Sequence, residues 1–222
     1  MKKVLSLALA LCMLLALGLS ACGTTQTTQE EETTTTTTEE AKRVEPLPAD
    51  ESLSNPTDAD VAASFNPSDI REEDGQLVME FTVYDYELFD SADISTLAVG
   101  DTIVIDGTDM VVTSREDTEG GYIVINDGLD QGGVDLAPGE GGTYYSMGLD
   151  DAKDYQEVAT IKLPVDPNCV LTDNSDLENP NQQMAISEVQ SMSDEEAHFI
   201  PHNTVIHIEN GTVTGITLNY IP

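Results

Sequence analysis

Residues 204–220 read TVIHIENGTVTGITLNY and carry the strongest local folding signal in the chain. Two runs rich in β-branched residues flank Asn210-Gly211, a dipeptide typical of a two-residue β-hairpin turn. The pattern therefore predicts strands at Thr204–Glu209 and Thr212–Tyr220. The two-residue turn sets a register that pairs Ile208 with Val213, Val205 with Ile216 and His207 with Thr214.

A second hairpin is predicted upstream, where Thr102–Ile105 and Met110–Thr113 flank the turn residues 106–109. A two-residue Asp-Gly turn would place Val104 opposite Asp109, whereas a four-residue loop matches apolar residues with apolar residues. We therefore favour the longer loop, and Tyr122–Asn126 is predicted to complete a three-stranded meander. The favoured register pairs Ile105 with Met110, Val104 with Val111 and Ile103 with Val112.

The whole pattern is that of a mainly β domain, a small barrel or sandwich of about eight or nine short antiparallel strands. Helix signals are limited to a capping-box spacing at Ser193–Glu196 and a turn near Ala185–Ser191, so one or two short helices are expected. Because every aromatic residue lies at position 65 or later, we predict the folded domain at 57–222. The remaining predicted strands are Gln76–Tyr86, Gly142–Met147, Tyr155–Leu163 and Asn168–Thr172.

The N-terminus has the order of a secretory signal peptide: Lys2 and Lys3, then an apolar run, then small residues before Cys22. The run is somewhat shorter than the about 20 residues of a spanning helix, although an uncleaved anchor is the alternative. Residues 19–22, Leu-Ser-Ala-Cys, resemble the lipobox of bacterial lipoproteins. The resemblance covers the first 22 residues only. It implies that residues 1–21 are a cleaved signal peptide and that the Cys22 sulfur carries a lipid.

Residues 24–40 contain only Thr, Glu and Gln, which cannot build a hydrophobic core. We therefore predict that residues 22–56 form a disordered tether, which with the lipid implied at Cys22 would lift the domain from a membrane. The lipobox resemblance implies a location at the outer face of the bacterial cytoplasmic membrane or the cell surface.

The charge is strongly one-sided, with 42 Asp and Glu against 8 Lys and Arg and a net charge of −34. Cleavage before Cys22 removes Lys2 and Lys3 and no acid, so 42 acidic and 6 basic residues leave a net charge of −36. A nucleic-acid partner is disfavoured, because binding phosphates requires clustered cations. An anionic membrane would also repel the chain, so the predicted membrane contact is the lipid on Cys22.

No familiar catalytic motif is present, and we identify no catalytic or cofactor-binding residue. Cys169 has two interpretations, a small buried hydrophobic residue or a thiol nucleophile, and the first is favoured because nothing nearby would lower the pKa of the thiol. His198, His202 and His207 form a group that suggests zinc, but Pro201 interrupts any helix that would join the first two.

Calcium is the more plausible ion, because hard oxygen ligands are clustered in two acidic loops. Ordinary solvated loops are the alternative, and neither cluster has the spacing of an EF-hand. The weak calcium candidates are Asp150, Asp151, Asp154, Asp173, Asp176 and Glu178.

Tyr144, Tyr145 and Tyr155 suggest an aromatic platform for a sugar or peptide. At least one of the adjacent pair is expected in the core, since neighbours on a strand face opposite ways.

Two functions follow as hypotheses. The first is a binding or structural surface module whose ligand is a glycan, peptide or protein. The alternative is an extracytoplasmic hydrolase that uses scattered carboxylates, which would need a cleft containing a carboxylate whose pKa is raised by burial.

Overall fold

The computed structural model describes residues 40–148, 152–195 and 197–221, in which short strands dominate. Two short α-helices accompany them, α1 (Ser91–Thr96) and α2 (Ile186–Val189), with 3₁₀ turns at Glu51–Ser54, Pro67–Asp69, Leu129–Gln131 and Glu140–Gly142. The strands are β1 (Arg43–Val44), β2 (Ala59–Ser64), β3 (Ile70–Glu73), β4 (Gln76–Tyr86), β5 (Leu88–Asp90), β6 (Thr102–Ile105), β7 (Thr108–Val111), β8 (Arg115–Asp117), β9 (Ile123–Ile125), β10 (Val134–Pro138), β11 (Thr143–Met147), β12 (Tyr155–Asn174), β13 (Gln182–Ala185), β14 (Thr204–Glu209) and β15 (Thr212–Asn219).

Five strands close into a barrel in the order β2-β4-β12-β15-β14 and back to β2. The pair β12–β15 is parallel and the other four pairs are antiparallel. This order resembles that of the OB fold, a five-stranded Greek-key barrel. Strand β3 extends the sheet beside β4, and β13 extends it beside β12.

Strand β12 closes the barrel because it is long enough to pair with two neighbours in succession. Its first half, Tyr155–Pro164, runs antiparallel to β4, and from Val165 onward it runs parallel to β15. Pro164 and Pro167 lie where the strand changes partner, so their missing N–H groups fall where the ladder is interrupted. The two strands predicted at 155–163 and 168–172 are therefore parts of one strand.

The barrel interior follows from the alternation along β4, where Met79, Phe81 and Val83 are buried. Their neighbours on the other face are only half-buried. Helix α2 covers one end of this core with Ile186 and Val189.

A second β unit, residues 87–154, is inserted between β4 and β12. It contains a five-stranded sheet in the order β5-β11-β10-β9-β8, and β6 and β7 form a sheet with β1. A separate hydrophobic core lies here, built around Phe89, Ile94, Ile103, Ile125 and Leu136.

Residues 42–44 pack against this second unit. Val44 in β1 is 2% exposed and lies opposite Ile103 in the parallel pair β1–β6. The Lys42 amide donates to the Asp101 carboxylate at 2.7 Å. Ordered structure therefore begins before residue 57, because Val44, an apolar residue in a polar stretch, is buried in the core of the inserted unit.

The mainly β fold, the small barrel and the short helical turn at 186–189 agree with the sequence prediction. The C-terminal hairpin also has its predicted turn and its first predicted pair, Ile208 with Val213. Beyond that pair the predicted register is wrong, because a β-bulge at Thr214 places His207 opposite Gly215. A Cβ on Gly215 would lie 3.3 Å from His207 Cδ2, so glycine permits this close approach. The shifted pairs are Ile206 with Ile216 and Val205 with Thr217.

The register favoured for the upstream hairpin is also wrong. Asp106 and Gly107 form a two-residue turn with φ values of +47° and +66°, which places Val104 opposite Asp109. The Glu87 carboxylate accepts a hydrogen bond from the Asp106 amide at 2.8 Å and thereby fixes the turn. Apolar matching does not decide the register, because Val111 on the edge strand β7 faces solvent. The observed pairs are Ile105 with Thr108, Ile103 with Met110 and Thr102 with Val111.

The predicted meander does not form, because β9 pairs with β8 and β10 in the other sheet. The Asn126 side chain holds the chain between β7 and β8, accepting from the Thr113 amide at 2.7 Å and donating to the Val111 carbonyl at 2.8 Å. The described residues of the segment 193–196 form a turn instead of the predicted helix. There the Asp194 carboxylate accepts hydrogen bonds from the amide and hydroxyl of Ser68.

We predict that Val44→Ala lowers the free energy of unfolding by about 1 to 3 kcal/mol, because it removes buried methyl groups and leaves a cavity. Urea denaturation measures this change. The matched control is Val99→Ala, since Val99 is 65% exposed and should change stability little. Equal effects of the two substitutions would show that β1 does not contribute to the folded core.

Candidate functional site

An aromatic cluster lies where the barrel meets the inserted unit, and we define it as Tyr86, Tyr145, Tyr155 and His202. Tyr86 ends β4 and Tyr155 begins β12, and the two residues pair directly across the ladder. Their ring centroids are 4.9 Å apart with planes tilted by 30°. Burial and the nearby Tyr86 hydroxyl raise the pKa of Tyr155 above its ordinary value. Two residues of the cluster therefore form the last pair of the β4–β12 ladder.

His202 joins the cluster from the turn before β14, and its ring meets that of Tyr155 edge-on at 5.0 Å. The neighbouring Asn203, which is 8% exposed, holds this turn. Its amide nitrogen donates to the His198 carbonyl at 2.8 Å, and its oxygen accepts from the Ile200 amide at 3.0 Å. Asn203 is therefore a positioning residue for His202.

Lys153 places its ammonium group over two rings of the cluster. Lys153 Nζ lies 4.7 Å from the Tyr86 centroid and 4.9 Å from the Tyr145 centroid. Both distances are within the range of a cation–π interaction. The backbone of Lys153 forms a β-bridge with Met147, which fixes the base of the side chain.

This contact distinguishes Lys153 from the other cationic side chains in the described part of the chain. Among the described residues, the other five form ion pairs with carboxylates, whereas Lys153 Nζ contacts the rings of Tyr86 and Tyr145. Those five ion pairs are Lys42 with Asp93, Arg43 with Asp109, Arg71 with Glu80, Arg115 with Asp117 and Lys162 with Glu73.

A cavity of about 310 Å³ opens beside these residues. Tyr86, Tyr220 and Ile221 on its wall are 40%, 48% and 43% exposed, so apolar surface is open to solvent at this point. Such a patch with a few polar groups is typical of a ligand site, and the volume is at the small end of the usual range. The lining residues are Tyr86, Ala152, Lys153, Tyr155, His202, Tyr220 and Ile221.

A buried polar network lies next to the cluster, centred on Glu87, which is 1% exposed. Its carboxylate accepts from the Ser146 hydroxyl at 2.9 Å and from the Asp106 amide at 2.8 Å. The Glu87 amide donates to the Asp154 carbonyl at 3.0 Å. Glu87 therefore joins both ends of the inserted unit to β11 and to the β6–β7 turn.

Two carboxyl groups in this network have raised pKa values. Burial raises the pKa of Glu87, and its hydrogen bonds from Ser146 and Asp106 only partly oppose this. Burial also raises the pKa of Asp154, against the effects of Ser146 and of the nearby His202. Neither residue lines the cavity.

The three tyrosines proposed as a platform are divided by the structure. Tyr144 packs against the core of the inserted unit, while Tyr145 faces Lys153 and Tyr155 faces Tyr86. This agrees with the expectation that one of the adjacent pair is a core residue. The sequence reasoning missed Tyr86, Lys153 and His202 as members of one site. Tyr86 could have been found as the last outward-facing aromatic residue of the alternating strand Gln76–Tyr86.

The calcium prediction remains untested. In the second acidic loop, Asp173 accepts hydrogen bonds from Ser175, and Asp176 accepts from the Glu178 amide and the Asn179 side chain. Asp150 and Asp151 lie outside the described residues, and Asp154 belongs to the Glu87 network. Among residues 40–148, 152–195 and 197–221, no three His, Cys, Asp or Glu side chains are grouped to hold a metal.

Cys169 is buried in the barrel core, as the favoured interpretation predicts, and burial raises the pKa of its thiol to about 11.

His207 lies on the outer face of the barrel and bridges two strands. Its Nδ1 is 2.6 Å from Asp60 Oδ1, and its Nε2 is 2.8 Å from Thr217 Oγ1. These atoms have the order of a catalytic triad, but both side-chain partners lie along paired strands, where the arrangement serves as a cross-strand link.

No protein family, curated protein or solved structure matches this chain. None of the helices in the described ranges has both the length and the apolar character needed to span a bilayer. Cys22 and the signal segment lie outside the described residues.

We predict that Glu87→Ala lowers the free energy of unfolding by about 1 to 3 kcal/mol, because the Ser146 hydroxyl and the Asp106 amide lose their buried acceptor. Glu87→Gln keeps an acceptor and removes the buried charge, so it should be at least as stable as the wild type at pH 7.

The pH dependence of Glu87→Gln follows from the raised pKa of Glu87. The folded state favours the protonated acid, so this contribution to stability is complete below the ordinary value of 4.5 and is lost as the pH rises through the folded pKa. The advantage of Glu87→Gln should therefore be largest near pH 7 and absent below about pH 4. Thermal melting at several pH values measures it, and an advantage that grew on acidification would contradict the assignment.

Proposed function

We propose that this chain is a lipid-anchored, extracytoplasmic binding module of a bacterial cell. The anchor is the lipid on Cys22 implied by the lipobox resemblance, and the Thr- and Glu-rich segment is the spacer. The β domain recognises a ligand at the aromatic cluster. The observation that carries the binding role is the cavity of about 310 Å³ walled by exposed aromatic residues at the junction of two β units.

The cavity chemistry favours binding over hydrolysis. Its described wall contains no acidic residue, and the two carboxyl groups with raised pKa, Glu87 and Asp154, are not part of it. A hydrolase of the predicted kind would need such a carboxyl group within reach of a substrate in the cleft. The hydrogen bonds of Glu87 instead join elements of the inserted unit.

The net charge supports the proposed route to the membrane. A chain with a net charge of −34 is repelled by anionic lipid, so electrostatics does not hold it at the membrane. A covalently attached acyl chain supplies the attachment instead. The same charge disfavours polyanionic ligands, including nucleic acids.

The anchor is tested by Cys22→Ser in the full chain expressed in a bacterium. We expect the wild-type protein in the membrane pellet after a high-salt wash and the variant in the supernatant or the medium. Metabolic labelling with a fatty acid should mark the wild type alone. A variant that stays with the membrane after the wash would contradict a lipid anchor.

The binding role is tested by thermal-shift screening of glycans, peptides and small organic molecules. We expect a ligand that raises the melting temperature of the wild type but not of Tyr86→Ala. The matched control is Tyr122→Ala, because Tyr122 is similarly exposed, at 43%, but lies away from the cavity wall. A ligand whose effect survives in Tyr86→Ala would place binding elsewhere.

A further inference from the structure

The contact between Lys153 and two tyrosine rings indicates which ligand chemistry suits the aromatic cluster. An ammonium group already lies over Tyr86 and Tyr145, at 4.7 and 4.9 Å from their centroids. The faces of aromatic rings attract cations through the ring quadrupole, and aromatic sites are used to recognise quaternary ammonium ligands. The pair of rings is therefore a cation site that the chain fills with its own side chain.

The charge of the protein favours the same class of ligand. With 42 acidic and 8 basic residues, the surrounding field attracts cations and repels anions. A ligand carboxylate or phosphate bound at Lys153 would have to approach against this field. A ligand ammonium would be steered toward the site and would be stabilised by the rings once there.

We propose that the aromatic cluster binds an organic ammonium group, with Tyr86 and Tyr145 contacting the cation and Lys153 occupying its place in the ligand-free protein. This inference rests on the proposed binding function and names its ligand class. The cavity beside the rings, walled by Tyr155, Tyr220 and Ile221, would receive the apolar remainder of the ligand.

Displacement of Lys153 is physically reasonable because its ammonium is held by ring faces rather than by a described carboxylate. A lysine ammonium is strongly hydrated, so it recovers good solvation when it swings into water. A quaternary ammonium is larger and less hydrated, and therefore loses less solvation on entering the site. Replacement of the Lys153 ammonium by a ligand ammonium therefore favours alkylated ammonium ligands over primary ones.

The test is a calorimetric titration of the wild-type chain with choline, with n-butylammonium as the primary-amine probe. The neutral control is 3,3-dimethylbutan-1-ol, which has the shape of choline without its charge. We expect choline to bind more tightly than n-butylammonium and the neutral alcohol to bind least. Equal binding of choline and the neutral alcohol would overturn the proposal.

Variants test the role of Lys153. If Lys153 competes with the ligand, Lys153→Ala should bind choline about two- to thirty-fold more tightly than the wild type, the range of one cation–π contact. Tyr86→Ala should weaken binding by a similar factor, Tyr86→Phe should retain it, and Tyr122→Ala should bind as the wild type does. Weaker choline binding by Lys153→Ala would show that Lys153 assists the ligand, and would overturn the proposal.

The outcomes separate this inference from the proposed function. If neither the wild type nor Lys153→Ala binds choline, while a glycan or peptide stabilises the wild type but not Tyr86→Ala, the ammonium assignment fails and the binding module stands. If no ligand depends on Tyr86, both fail. Circular dichroism spectra and melting temperatures of the variants exclude misfolding as the cause.

Discussion

The structure depends on β12 pairing first with β4 and then with β15. Without the parallel half of this strand, β15 would be an open edge and the barrel core would face solvent. The antiparallel half brings Tyr155 opposite Tyr86, and this pair marks the two ends of the inserted unit. The Glu87 amide and the Asp154 carbonyl are joined by a hydrogen bond of 3.0 Å. The inserted residues therefore leave and rejoin the barrel at almost one point.

The candidate site is a result of this closure. Tyr86 comes from β4 and Tyr155 from β12 at the junction. Tyr145 comes from β11 of the inserted unit, and His202 comes from the turn before β14. The polar groups that hold the junction are buried and satisfied, with Glu87 on one side and Asn203 on the other. In the described part of the chain, no buried side-chain nitrogen or oxygen lacks a partner. The buried polar side chains that support the rings are thus all hydrogen-bonded.

Local signals in the sequence predicted the parts of the fold that are decided locally. The Asn210-Gly211 turn, the strand Gln76–Tyr86 and the β character of the domain follow from turn chemistry and alternation. The register at Asp106-Gly107 does not, because the hydrogen bond that the Asp106 amide donates to the Glu87 carboxylate overrides apolar matching. The bulge at Thr214 depends on how His207 packs over Gly215. Both depend on particular side-chain contacts that turn chemistry and alternation do not specify.

The candidate site was only partly predictable for the same reason. Tyr145 and Tyr155 stood out as aromatic residues in a polar stretch, but their partner Tyr86 is distant in sequence. The sequence grouped His202 with His198 and His207. In the fold, His207 instead contacts Asp60 and Thr217 on the outer face of the barrel. Lys153 carried no sequence signal at all. Its importance depends on lying over two rings, and only the three-dimensional structure shows that contact.

Strand β1 has a mechanical consequence. In the proposed anchored protein, tension from the membrane enters the described chain at residue 40 and reaches β1 before any strand of the barrel. Lys42 and Arg43 fasten this strand to Asp93, Asp101 and Asp109, all in the inserted unit. If the chain is anchored as proposed, the inserted unit would carry this load before the closed barrel does.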